Sequence, residues 1–224
     1  MSLLRPEDAQ TVREQFDARL QRPVRLVIAT SQDECMYCPE VVALATELAE
    51  LSPKLGVAVH DAEADAATLS RYGFDKTPAL AVVAVDGAGA VQDYGIRFYG
   101  IPSGYEFMSL LDAIQTVGSD EVQLAPDTLK FLEALESDVH IQVFVTPTCP
   151  HCPRAVILAH HLAYASTHVT ADMVEATEFP ELSARYSVYG VPRTVINEVV
   201  HQEGAAPEPL LLQKLRQAVN ISPN

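Results

Sequence analysis

Cys149 follows Cys35 by 114 residues, and Cys152 follows Cys38 by the same 114. Pro192 follows Pro78 at that spacing, and Arg185-Tyr186 repeats Arg71-Tyr72 at it again. Four separated landmarks at one ungapped offset mark a tandem duplication. Two copies are too few for a solenoid, so the chain reads as a pair of domains. Its 224 residues suit two units of about 100–150 residues each. The boundary is expected near Gly118–Pro126, giving units over 1–120 and 121–224.

Each copy shows the same order of elements. In the first, the apolar run Val24–Thr30 predicts a strand that ends in a loop before Cys35. From Pro39 to Leu51, Val41, Leu44, Ala45, Leu48 and Leu51 recur at helical spacing. A strand at Val57–His60, a short helix at Ala64–Tyr72, a hairpin of Ala79–Val85 with Val91–Arg97, and a helix at Phe107–Val117 follow. The second copy repeats this order as Val139–Val145, Pro150–Ala165, Val169–Val174, Pro180–Tyr186, Thr194–Val200 and Pro209–Val219. Helical lead-ins at Pro6–Leu20 and Pro126–Leu135 precede the copies. The class is therefore α/β, two tandem domains, each a mixed central sheet flanked by helices.

Charge and hydropathy narrow the function. Thirty acidic against fifteen basic residues give a net charge of −15, with no Lys/Arg cluster. Such a surface repels nucleic acid and anionic membranes. No window approaches the ~18 consecutive apolar residues of a membrane span. The N-terminus turns acidic where a secretory signal carries its apolar run, which predicts no export signal and a cytoplasmic protein. In such a setting two Cys-x-x-Cys pairs point to redox chemistry or to metal. A structural Cys₄ zinc site is the competing reading, but its pairs normally lie much closer than Cys38 and Cys149 and sit on turns.

Thiol chemistry suits the pattern. A Cys-x-x-Cys that opens a helix sets its first sulfur beside unpaired backbone N–H groups and the positive helix end. Such sites lower a thiol pKa from about 8.5 to roughly 3.5–7.5. The second cysteine, about one turn on, is placed to resolve a mixed disulfide. Pro78 and Pro192 each stand 43 residues after the first cysteine of their copy and just before a strand. That fits a cis turn facing the sulfurs, with Thr77 and Val191 leaving backbone free to pair with a peptide.

The order strand, Cys-x-x-Cys, helix, x-Pro, strand resembles the thioredoxin/glutaredoxin fold, present twice. The tandem form is similar to the protein disulfide oxidoreductases of archaea and thermophilic bacteria. The stretches that carry this are Val143–Pro153 (VFVTPTCPHCP), Asp172–Ala176 (DMVEA) and Phe98–Phe107 (FYGIPSGYEF). The resemblance implies exchange with client-protein thiols and disulfides, the second pair being the more active. It also implies a thioredoxin-reductase-like flavoprotein as electron donor, and no cofactor beyond the redox-active disulfides. The chain departs from thioredoxins at two positions per copy. Glu34 and Thr148 replace the Trp before the first cysteine, and Ala29 and Val143 replace the buried Asp. No Gly-Gly pair of the glutaredoxin kind follows Pro192.

The two sites are not equivalent. Pro150-His151 matches strongly oxidising thiol oxidases, and an imidazole beside the sulfur stabilises thiolate. His151 is otherwise a solvated turn residue. Asp33 and Glu34 disfavour a Cys35 thiolate by like charge. Glu47, nine residues past Cys38, is either a proton acceptor for Cys38 or a partly solvated helix glutamate. Its counterpart His161 and the neighbouring His160 read as surface or satisfied core. The leading function is a protein dithiol–disulfide oxidoreductase. The alternatives are a dedicated electron carrier from a flavin reductase to one peroxidase or reductase client, and a peptide-binding module with incidental cysteines.

Overall fold

The computed structural model describes residues 3–32 and 35–221, with the side chain of residue 221 left aside. It divides into two compact units. The first comprises Met1–Asp93, Tyr99–Ile101 and Ile114–Glu121; the second comprises Tyr94–Phe98, Pro102–Ala113 and Val122–Asn224. Residues 94–98 and 102–113 therefore fold with the second unit although they precede the second copy in sequence.

In the first unit, β1 (Val24–Thr30) lies between β2 (Leu55–Asp61), which runs parallel to it, and β3 (Ala79–Val85), which runs antiparallel. β1 is rich in β-branched and apolar residues, which suits a strand covered on both faces. Leu26 and Ile28 are fully buried, and every residue of β3 is buried. α2 (Cys38–Ala49) packs on β1 and β2 through Val41, Leu44, Ala45 and Leu48. α1 (Pro6–Arg19) buries Val12 and Phe16. The expected short helix is one turn, α3 (Ala66–Leu69), that tightens into a 3₁₀ turn at Ser70–Tyr72. The loop from β3 to β4 (Val91–Tyr99) is closed by the Asp86 carboxylate, which accepts the N–H groups of Ala88 and Ala90.

The second unit repeats the plan. β5 (Val139–Val145) has β6 (Val169–Glu175) parallel on one side and β7 (Arg193–Ile196) antiparallel on the other, with β8 (Val200–Glu203) beyond. α6 (Cys152–Ala165) packs on β5 and β6. α7 (Pro180–Arg185) follows β6, while α5 (Pro126–Glu133) and α8 (Glu208–Ile221) pack against each other. α4 (Phe107–Ser119) contributes its first seven residues to this unit. Each unit is thus the mixed sheet flanked by helices that the duplication implied. The backbone keeps the repeat in detail: Gly73 (φ 64°) and Ser187 (φ 53°), again 114 residues apart, both turn left-handed after their Arg-Tyr pair.

One expected strand is two. Thr194–Val200 breaks at Asn197 and Glu198, with φ of 47° and 64°, and Val199 N–H closes the turn on the Ile196 carbonyl. Asn-Glu lacks the Asn-Gly signature of such turns. It is held instead by β5. The Asn197 N–H donates to the His140 carbonyl at 2.9 Å, and its side-chain oxygen accepts the His140 N–H at 2.8 Å.

Candidate functional site

In each unit the cysteine pair follows the central strand. β5 ends at Val145, and the loop Thr146–Thr148 delivers Cys149, whose N–H donates to the Thr146 carbonyl at 3.1 Å. The helix begins at the second cysteine, with Cys38 first in α2 and Cys152 first in α6. The sequence placed these starts at Pro39 and Pro150. Pro39 and Pro153 sit instead within the first turns, where a missing N–H costs nothing. The flanking residues Tyr37 and His151 make no side-chain cap, so the amides of the first turn stay directed at the cysteine loop. This end carries the positive pole of the helix.

Both pairs are disulfide-bonded, with Cα–Cα separations of 5.4 and 5.5 Å. Burial separates the two sulfurs of a pair. Cys149 is 9% exposed and Cys152 fully buried; Cys35 is half-buried and Cys38 buried. In each unit the first cysteine is the more exposed of its pair. Among the described residues no cluster of three or more His, Cys, Asp or Glu is placed to hold a metal.

The prolines lie at the same sheet ends. Ala79 pairs with Ala29, which puts Pro78 level with Thr30. Arg193 pairs with Phe144, which puts Pro192 level with Val145. Both the Thr77–Pro78 and Val191–Pro192 bonds are cis. Beside the second, a groove of about 390 Å³ is lined by Tyr189, Gly190, Val191, Pro192, Glu203 and Gly204, with Tyr189 almost wholly exposed. The first unit's groove, about 370 Å³, is lined by Ser31, Glu63, Asp75, Lys76 and Thr77 among others. Arg193 also lines the second groove, and Leu69 and Phe74 also line the first, so charged side chains face both.

The tuning residues fare differently. Pro150 and His151 are exposed beside Cys149. Asp33 and Glu34 lie outside the described residues. Glu47 bonds to backbone ahead of α1. Its carboxylate accepts the backbone N–H groups of Leu3 at 2.6 Å and Leu4 at 3.0 Å. Nine residues along a helix is also about 13 Å from Cys38. The group anchors the segment ahead of α1, and we propose the helix-glutamate reading for it. Glu47→Gln is therefore expected to leave the alkylation rate of reduced Cys38 unchanged, a comparison that thiol labelling makes directly. His160 is core: its Nε2 lies 3.1 Å from the Arg97 carbonyl, its ring stands edge-on to Phe98, and burial lowers its pKa to about 4. His161 pairs with Asp112 at 2.8 Å.

Sequence reasoning did not assign Glu106. This residue closes the 3₁₀ turn Gly104–Glu106, which packs on α6. It is 1% exposed, and one carboxyl oxygen accepts the Ser109 hydroxyl at 2.6 Å. The other oxygen is buried with no hydrogen-bond partner among the described residues. Burial pushes the carboxyl up to about 7, against the pull of Ser109. The signal was its place inside the FYGIPSGYEF stretch; helical periodicity alone does not mark it. A second buried acid, Glu175, ends β6 level with Val145 and accepts Thr177 Oγ1 at 2.6 Å and Glu178 N–H at 2.7 Å. Asp61, its 114-residue counterpart, accepts the N–H groups of Glu63 and Ala64, which hold its pKa below the usual carboxylate range.

A strand-borne Cys-x-x-Cys at a helix start, with a cis-proline at the same sheet end, defines a thioredoxin-like redox unit, and the chain carries two. Residues 139–217 match the thioredoxin domain family. The structure is similar to that of the alkylhydroperoxide reductase AhpF from Enterococcus faecalis, at 30% identity and a TM-score of 0.85. That match covers 95% of this chain and 99% of that one. It is similar also to a protein disulfide oxidoreductase from Aeropyrum pernix, at 28% identity and a TM-score of 0.87, covering 96% and 94%. An alkyl hydroperoxide reductase protein of Staphylococcus aureus is 26% identical over 89% of this chain. The chain spans about a third, 35%, of that protein's length. The chain belongs to the thioredoxin-like family in its tandem form. No helix among the described residues is long and apolar enough to cross a membrane.

Proposed function

We propose that the chain is a protein dithiol–disulfide oxidoreductase that works through both Cys-x-x-Cys pairs, the second carrying the larger share. The observation that supports this best is Cys149, 9% exposed, set ahead of the wholly buried Cys152 at the start of α6 and beside the exposed His151. In the reducing direction the Cys149 thiolate attacks one sulfur of a client disulfide, and a mixed disulfide forms as the first client thiolate leaves. The Cys152 thiolate then attacks the Cys149 sulfur and releases the second client thiolate. Two electrons pass to the client and the pair closes as a disulfide. Glu106, its carboxyl pushed up to about 7 by burial in a turn packed on α6, takes up the proton that Cys152 must lose. His151 favours the Cys149 thiolate. Recharging draws two electrons from an NADPH-dependent flavoprotein, and the setting is cytoplasmic.

A second reading is a dedicated electron carrier from such a flavoprotein to one peroxidase or reductase. It is favoured by the match to the alkylhydroperoxide reductase AhpF over almost the whole chain. Reduction of insulin together with rescue of scrambled ribonuclease is the outcome expected of a general oxidoreductase. Turnover confined to a single client, with neither of those activities, would leave only the carrier.

A further inference from the structure

The loop that delivers Cys149 is held from outside the second copy. Gly104, at φ 59°, lies so close to it that an added β-carbon would stand 2.2 Å from the Pro147 carbonyl oxygen and 2.9 Å from its carbon. One residue on, the Tyr105 N–H donates to that same oxygen at 2.9 Å. Both contacts are made to main chain, which cannot swing aside as a long side chain can. They fall two residues before Cys149, in a loop whose middle residue is a proline with no N–H of its own to offer. The next residue in the turn is Glu106. Moving this turn therefore moves the cysteine loop and the buried carboxyl together.

We infer that the Gly104–Tyr105 peptide is a clamp that sets the position of Cys149, which makes Gly104 a positioning residue for the second pair. This rests on reading that pair as an exchange site. Relieving a 2.2 Å contact to the ordinary 3.4 Å or more displaces the turn or the loop by about 1 Å, and errors of that size cost up to about a hundredfold in rate. The left-handed backbone by itself does not carry the effect. Gly89 (φ 86°), in the loop after β3, has nothing within 4 Å of where its β-carbon would be.

The test uses the full chain carrying Cys35→Ser and Cys38→Ser, so that only the second pair exchanges. Gly104→Ala in this background is expected to slow insulin reduction by dithiothreitol at least about tenfold and to shift the thiolate titration of Cys149. Gly89→Ala is expected to change neither. The same Gly104→Ala in a Cys149→Ser, Cys152→Ser chain is expected to keep the first pair's rate, which reports an intact fold. Gly104→Asn adds the same β-carbon on a residue that accepts left-handed backbone, and should behave like alanine. A parental rate and an unshifted titration in either Gly104 variant would overturn the clamp. Loss of folding in both would overturn it too, leaving Gly104 a packing residue. An inactive parental second pair would instead overturn the exchange reading on which the clamp rests.

Discussion

Cys149→Ser is expected to abolish most insulin-reducing and ribonuclease-refolding activity. The hydroxyl that replaces the thiol has no accessible anion near neutral pH, so the first bond to a client sulfur cannot form. Cys152 does not substitute for it, because its sulfur is fully buried behind Cys149. At the second pair the loss is at least about a hundredfold, as for other deleted nucleophiles, and the first pair supplies what remains. Cys152→Ser is expected to fail differently. Attack by Cys149 still occurs, resolution does not, and mixed disulfides with clients accumulate as bands on non-reducing gels. Cys35→Ser is expected to leave general exchange largely intact. Clients released normally by Cys152→Ser would remove Cys152 from the resolving role.

Glu106→Gln is expected to change both the pH profile and the stability. The carboxyl is pushed from its ordinary 4.5 up to about 7 by burial. A carboxyl raised in the folded state contributes stability that is fully present below about pH 4.5 and lost as pH rises through about 7. The difference of two to three pH units corresponds to about 3 kcal/mol. Relative to the wild type, the glutamine variant should therefore gain stability on that order between pH 4.5 and 8, read from denaturant midpoints at the two ends. In exchange kinetics, the wild-type rate for reduction through the second pair should show an inflection near pH 7 that the variant lacks. A parallel pH dependence of stability in both proteins would return Glu106 to an unperturbed carboxyl, and an unmoved inflection would free it from proton transfer.

Much of the fold was legible because the duplication imposes its own check: an element read in one copy must recur 114 residues on. The strands Val24–Thr30, Ala79–Val85 and Val139–Val145 stand at the expected residues, since apolar runs in central strands leave little choice of register. The shared place of Pro78 and Pro192 before a strand fitted a cis turn, and both bonds are cis. What escaped depended on contacts made at a distance. The turn at Asn197–Glu198 exists because β5 holds Asn197 at two points, and no local signature marks it. The sequence left Glu47 between a proton acceptor for Cys38 and a helix glutamate, and its bonds to the N–H groups of Leu3 and Leu4, over forty residues away, have no local mark. Glu106 was hidden for the converse reason. It lies ahead of the second copy in sequence, and only folding makes it part of the second unit.

Thiolate absorbance titration of two variants of the whole chain tests the division of labour between the pairs most directly. One carries Cys35→Ser with Cys38→Ser, and the other Cys149→Ser with Cys152→Ser. Cys149 has the helix start, His151 beside it and no adjacent acid, whereas Cys35 follows Asp33 and Glu34 in the chain. The expected result is that Cys149 titrates at the lower pH and that its variant retains most of the exchange activity. If Cys35 titrates lower, and Cys149→Ser keeps near-full turnover, the assignment is reversed and Pro150-His151 does not set the difference between the pairs.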